Sequence, residues 1–341
     1  MVTTNKLYNY SHTIGLYSLL GRGFNNPVDV AFGKEGVMYV LNRAGPEVAS
    51  RLPYKRVSMC TVDERYLGEF SSGGVEDGQM MWPSSIATDH DGNVYVSDEA
   101  LQRITVFDSR GRYLDKWGVK GRADGEFNRP SGIAFDPDDN LLVTDSLNCR
   151  VQRYTREGRF LESWGRPGQA DGEFNLPWGI HVDSGGHVLV ADWRNDRVQR
   201  FGPYGRHIAT YGTTGEGDGQ FNRPAGVTTD ADGNIYVADW GNERVQVLRP
   251  DGGFLAVLRG ESGISKWGHD YFEANAEELN ERRKSDMEPD LGPMVRGSLR
   301  EESASIEKLF WGPTAVNVDD EGRLFVVESC RFRIQVYQRA W

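Results

Sequence analysis

The chain of 341 residues has little cysteine, a deficit of cationic charge and no long apolar run. Its three cysteines, Cys60, Cys149 and Cys330, are scattered and form no Cys-x-x-Cys pair. That excludes a disulfide framework and a cysteine-based zinc site. Lys and Arg number 39 against 50 Asp and Glu, a formal net charge of -11. A protein that works by neutralising phosphates needs clustered cations, so no nucleic-acid partner is expected. No apolar run approaches the roughly 20 residues of a membrane-crossing helix, so no membrane span is expected. The first ten residues, Met1 to Tyr10, hold no apolar stretch of the signal-peptide kind. A soluble, cytoplasmic protein is the corresponding expectation. Gly-x-Ser-x-Gly, His-Glu-x-x-His and a phosphate-binding glycine loop do not occur.

What the chain has is glycine (41), tryptophan (9), tyrosine (14) and a strong internal repeat. Phe127-Asn128-Arg129-Pro130 returns as Phe174-Asn175-Leu176-Pro177 and as Phe221-Asn222-Arg223-Pro224, and Pro83, Pro130, Pro177 and Pro224 are 47 residues apart. Pro27 and Pro313 mark two further units, displaced by two insertions. Each unit carries four short alternating runs separated by tight-turn residues, as in Gly132–Asp136, Leu141–Asp145, Arg150–Tyr154 and Phe160–Gly165. Four such strands make one antiparallel blade, which buries both faces only by packing against copies of itself in a ring. The expected fold is all-β: a single domain, 1–341, forming a six-bladed β-propeller of four-stranded antiparallel blades. The sixth unit stops after its third strand. Gly15 precedes Phe24 by the nine residues that separate Gly118 from Phe127, so the N-terminal segment Tyr10–Gly15 is expected to close the last blade.

The units read Pro-x-Gly-Ile-Ala-x-Asp, then Gly-Asn-x-Tyr-Val-x-Asp, then Asn-x-Arg-Val-Gln, most fully over Asp230–Gln246. In this they resemble the NHL repeat proteins, a family of six-bladed propellers. The resemblance is specific for fold and leaves function open, because the family includes scaffolds, RNA binders and enzymes. Its peptide-amidating lyases hold a metal with His residues just after the strand-opening Pro. Here those positions are Val28, Ser84, Ser131, Trp178, Ala225 and Thr314. Six-bladed lactonases hold a divalent metal with Glu, Asp and Asn on the axis. Asp29 and Asn317 are inner polar groups of that kind, without a matching Glu, so the sequence names no cofactor and supports no metal ligand set.

Function should lie where the repeat is broken. Both insertions, 43–55 in the first blade and 261–308 before the sixth, emerge on the face that carries the loops before strand one and between strands two and three, called here the top. The second holds twelve acidic and seven basic side chains. A helix is expected over Tyr271–Lys284, and a lid over the axial opening is the functional reading; a solvated decoration is the plain one. As a decoration or a lid, residues 264–303 should be removable without unfolding the propeller. Six tryptophans map to the top, among them Trp178, Trp193, Trp240 and Trp311, and with Arg194 and Arg331 these are the candidate ligand-binding residues. Trp178 is the one bulky ring at a position otherwise occupied by small side chains. His181, in an innermost strand where other blades have Ala, Thr or Asn, is a weak candidate base beside Asp29 and Asn317, or else a satisfied core histidine. The recurrent Asp98, Asp145, Asp192 and Asp239, each five residues before an Arg, read as the scaffold's own hydrogen bonding. Two functions remain. One is a binding or interaction module that takes a small amphipathic ligand or a protein partner in a lidded, Trp-rich top-face pocket. The other is a lactonase-like hydrolase or lyase at the top of the axis.

Overall fold

The computed structural model describes residues 7–45, 54–293, 295 and 297–340. Most of the first insertion, 46–53, and the terminal Trp341 lie outside these residues. Six four-stranded antiparallel sheets surround an axis, as the repeat predicts. Blade four shows the common plan. Its innermost strand, Pro177–Val182, pairs with Val188–Asp192, which pairs with Arg197–Phe201, which pairs with the outer strand His207–Tyr211. The second strand is buried along its whole length, which is why it reads as continuous Val, Leu and Ala rather than as alternation.

The sixth blade is closed by the N-terminus. Tyr8–Ile14 pairs antiparallel with Arg333–Arg339, with Tyr8 opposite Arg339 and Ile14 opposite Ile334. The two ends of the chain therefore share one sheet, and the ring is joined by hydrogen bonds between its first and last strands.

Blade faces meet in apolar layers. Between blades four and five, for example, Leu189, Ala191 and Val198 pack with Val227, Ile235 and Val237. A wedge recurs at the four junctions from blade one to blade five: the last aromatic of one outer strand, Phe70, Trp117, Trp164 or Tyr211, lies against the glycine turn of the next blade. Gly158 (φ 81°) and Gly205 (φ 72°) hold left-handed backbone there, and a Cβ on either would stand 2.4 Å from the ring of Trp117 or Trp164.

At the junction of blades six and one the wedge is built differently. The strand ends in Ile14, and the turn carries Glu64 (φ 62°) in place of glycine. Trp267, from the second insertion, fills this place. It is 3% exposed and stands edge-on to Phe24 at 5.9 Å and to Tyr66 at 6.5 Å. Its indole N–H donates to the Glu64 carbonyl at 2.6 Å, while the Glu64 carboxylate accepts from Gly15 N at 2.7 Å and from Trp267 N at 3.2 Å. Trp267 belongs to the same buried cluster as Ile14, Phe24 and Phe325. The second insertion is thus part of the core at this point, against the expectation that 264–303 is removable.

The insertion forms three short helices: α1 (Lys266–Ala274), α2 (Ala276–Lys284) and α3 (Leu299–Ser305). The helix expected over Tyr271–Lys284 begins earlier, where Ser265 caps α1 by accepting from Gly268 N. It breaks at Asn275 (φ −128°, ψ 60°), whose amide donates back to the Tyr271 carbonyl at 2.8 Å. No side chain of α2 is buried.

Candidate functional site

The repeated carboxylates are consumed by the scaffold. Asp192 accepts from Asn175 N at 2.7 Å, Asn195 Nδ2 at 2.8 Å and Arg197 Nε at 2.8 Å. Asp145 and Asp239 repeat the pattern, and Glu328 accepts from Arg333 Nε at 2.7 Å. Burial raises the pKa of Asp145, Asp192 and Asp239, and these donors pull it back. A second repeated tie joins neighbouring blades. In three blades the side chain at the end of the top loop accepts from the N–H that precedes the next blade's Pro: Gln102 from Arg129 N (2.6 Å), Asp196 from Arg223 N (2.7 Å) and Glu243 from Gly312 N (2.5 Å).

The axis is narrow. The innermost strands enclose about 70 Å³, walled among others by Trp178, Asp29, Ser85, Asn317 and backbone of Gly132 and Gly226. That is room for a few waters, well below the roughly 300 Å³ at which ligand pockets begin. Asp29 and Asn317 do come together, the Asn317 amide donating to Asp29 Oδ1 at 3.4 Å. The carboxylate also accepts from Val30 N (2.8 Å), Ser85 Oγ (2.7 Å) and Ile86 N (3.1 Å). Burial raises its pKa, against the pull of these donors. His181 stands apart from this group, in blade four. Its Nε2 lies 2.9 Å from Thr229 Oγ1 and its Nδ1 3.4 Å from Thr228 Oγ1, both in blade five. Burial lowers its pKa to about 4, so the ring is neutral at pH 7. Among the described residues no three His, Cys, Asp or Glu side chains converge as metal ligands.

Above the axial mouth the indoles form a row. The ring centroids of Trp178 and Trp193 are 6.4 Å apart at 37°, and those of Trp193 and Trp240 are 6.4 Å apart at 46°. All three are half-buried. Cations flank the row: the guanidinium of Arg223 lies 5.0 Å and that of Arg194 5.9 Å from the Trp193 ring, and Arg300 lies 5.2 Å from Trp240. Arg194 and Arg223 are exposed, whereas Arg300 is tied to the buried Glu243 at 2.6 Å. The repeat alignment holds the signal for that tie, since Glu243 stands where other blades have Gln102, Cys149 and Asp196.

Trp311 and Arg331 belong to a different place. The Arg331 guanidinium lies 5.2 Å from the Trp311 ring and donates to the carbonyls of Ser303 (2.8 Å), Ala304 (3.1 Å) and Ile306 (3.3 Å). These two residues hold the end of α3 onto blade six. Among the described residues, none from 261–308 lines the axial cavity. The insertion instead roofs a cleft of about 430 Å³ over the top loops of blade six and the connection into blade one, with Leu16, Tyr17, Phe272, Met287, Arg282 and Arg331 in its walls. Nothing in the spacing of the sequence pointed to Phe272 and Met287 as partners of Leu16.

Comparison with known proteins agrees with this architecture. The NHL repeat model matches residues 127–154, 174–201 and 221–248, the first three strands of blades three, four and five. Virginiamycin B lyase from Staphylococcus aureus, in a catalytically inactive variant with quinupristin, superposes with a TM-score of 0.59 at 12% identity over 98% of this chain and 100% of that one. A streptogramin B lyase gives 0.58 at 10% identity over 98% of each chain. A protein of unknown function from Bacteroides thetaiotaomicron gives 0.62 at 17% identity, over 97% of this chain and 75% of that one. No curated protein sequence matches the chain. At such identities the likeness is one of fold, and with the three matched repeats it makes the chain a six-bladed propeller that resembles the NHL repeat proteins.

Proposed function

We propose that the protein is a binding module that takes its partner on the top face, on the row Trp178–Trp193–Trp240. The observation that carries this is the row itself. Three half-buried indoles in a row, with Arg194 and Arg223 beside them and without an ion pair among the described residues, form an apolar strip edged with positive charge. Such a strip suits a partner that presents an apolar ring next to negative charge. The axial cavity is too small for an organic ligand, which favours an open surface contact over deep insertion.

The test compares capture from the native host by the wild type and by a Trp193→Ala/Arg223→Ala variant. A partner held by the wild type and lost by the variant, at an unchanged melting temperature, supports the reading. A partner held equally by both overturns it.

A lyase or hydrolase is the second reading, and the fold likeness to virginiamycin B lyase is the observation on its side. The axial groups speak against it, since Asp29 already accepts four hydrogen bonds and His181, with its pKa lowered to about 4, is a weak base bonded to threonines of blade five. Turnover of quinupristin, abolished by Asp29→Asn, is the result that would favour it. An RNA partner is disfavoured by the acidic excess of the insertion on this face.

A further inference from the structure

The cleft beneath the insertion differs from the other depressions of the molecule. On the opposite face a larger one, of about 790 Å³, lies between blades five and six, but its two cations are already paired, Arg323 with Asp319 and Arg339 with Asp232. The roofed cleft has a cation left over. Arg282 pairs with Glu307 at 2.8 Å and Arg333 with Glu328 at 2.7 Å. Among the described residues no carboxylate stands within ion-pair distance of Arg331, and its Nε is buried with no hydrogen-bond acceptor. The same walls expose part of Leu16, Phe272 and Met287 to one another across open space.

We propose that this cleft binds a small amphipathic monocarboxylate. Its carboxylate pairs with Arg331, and its apolar tail lies along Leu16, Phe272 and Met287. A volume of about 430 Å³ falls within the usual range for ligand pockets, roughly 300 to 1,000 Å³. An anion there would neutralise a guanidinium that already spends one nitrogen on three carbonyls, and a planar carboxylate suits its remaining N–H groups. The site is separate from the indole row and does not depend on it.

The experiment is calorimetric titration of the full-length protein with 3-hydroxydecanoate, decanoate and 1,3-decanediol. The two carboxylates are expected to bind comparably, the diol being at least about tenfold weaker than either. Arg331→Ala should abolish binding of the hydroxy acid, and Arg331→Lys should restore part of it. Because Arg331 also anchors α3, Phe272→Ala, which removes no hydrogen bond, serves as the second variant and should weaken binding about tenfold. Trp193→Ala should leave it unchanged. The proposal is overturned if none of the three compounds binds, if the diol binds as tightly as the acid, if Phe272→Ala has no effect, or if Trp193→Ala abolishes binding.

Discussion

His181 shows how much a single side chain is decided by its surroundings. Its ring is enclosed between blades four and five, bonded to two threonine hydroxyls, and its pKa falls from 6.5 to about 4 because burial penalises the charged form; Asp183, the one charged group acting on it, opposes this only in part. The folded pKa lies below the unfolded one, so this histidine's contribution to stability is complete above pH 6.5. It is lost as pH falls towards 4, at roughly 1.4 kcal/mol per pH unit and roughly 3 kcal/mol in all. Urea unfolding at pH 7 and at pH 4.5 should therefore show a smaller drop in midpoint for His181→Gln than for the wild type. Equal drops would mean that the ring is protonated in the folded state. The sequence placed this residue correctly in an innermost strand, because the repeat aligns it with Ala31, Ala87 and Ala134. The threonines that satisfy it come from the next blade, and a one-dimensional alignment does not show which side chains meet across a blade interface.

Among the elements, the insertion departs furthest from a decoration. Trp267 replaces a wedge that four other rims draw from their own strands, and it does so with a side chain borrowed from outside the repeat. Trp267→Ala should cost about 3–5 kcal/mol, as truncation of a buried aromatic does, and calorimetric melting should register it; a change below about 1 kcal/mol would return α1 to the surface. The far end of the insertion is held more lightly. Glu243→Gln removes the charge that holds Arg300, so limited proteolysis of the segment between α2 and α3 should accelerate several-fold, with a smaller fall in melting temperature than Trp267→Ala produces. Unchanged cleavage would show that Arg331 and its three carbonyls suffice to hold α3. The helical character of this segment was legible in its Glu, Ala and Arg content. Its docking was not, because its contacts occur once and no second copy exists against which to read them.

For the whole molecule, the repeat made the ring legible to the point of naming the closing strand. The spacing from Gly15 to Phe24 matches that of complete blades, and Tyr8–Ile14 lies where the missing strand is needed. The candidate site was legible only in part. Trp178, Trp193 and Trp240 share a face because their positions repeat, whereas the roofed cleft depends on where an irregular segment comes to rest.

The closing strand also sets an order of events during synthesis. Of the strands of the ring, Tyr8–Ile14 leaves the ribosome before all the others, yet its partner, Arg333–Arg339, is made after all the others. Through the making of five blades that first strand has no edge to join. Trp267 is translated before blade six and can settle beside Phe24 and Tyr66 while the final strands are still to come. The insertion thus holds the closing strand at the place where its partner will arrive, and shortens the search by which a nascent ring becomes a closed one.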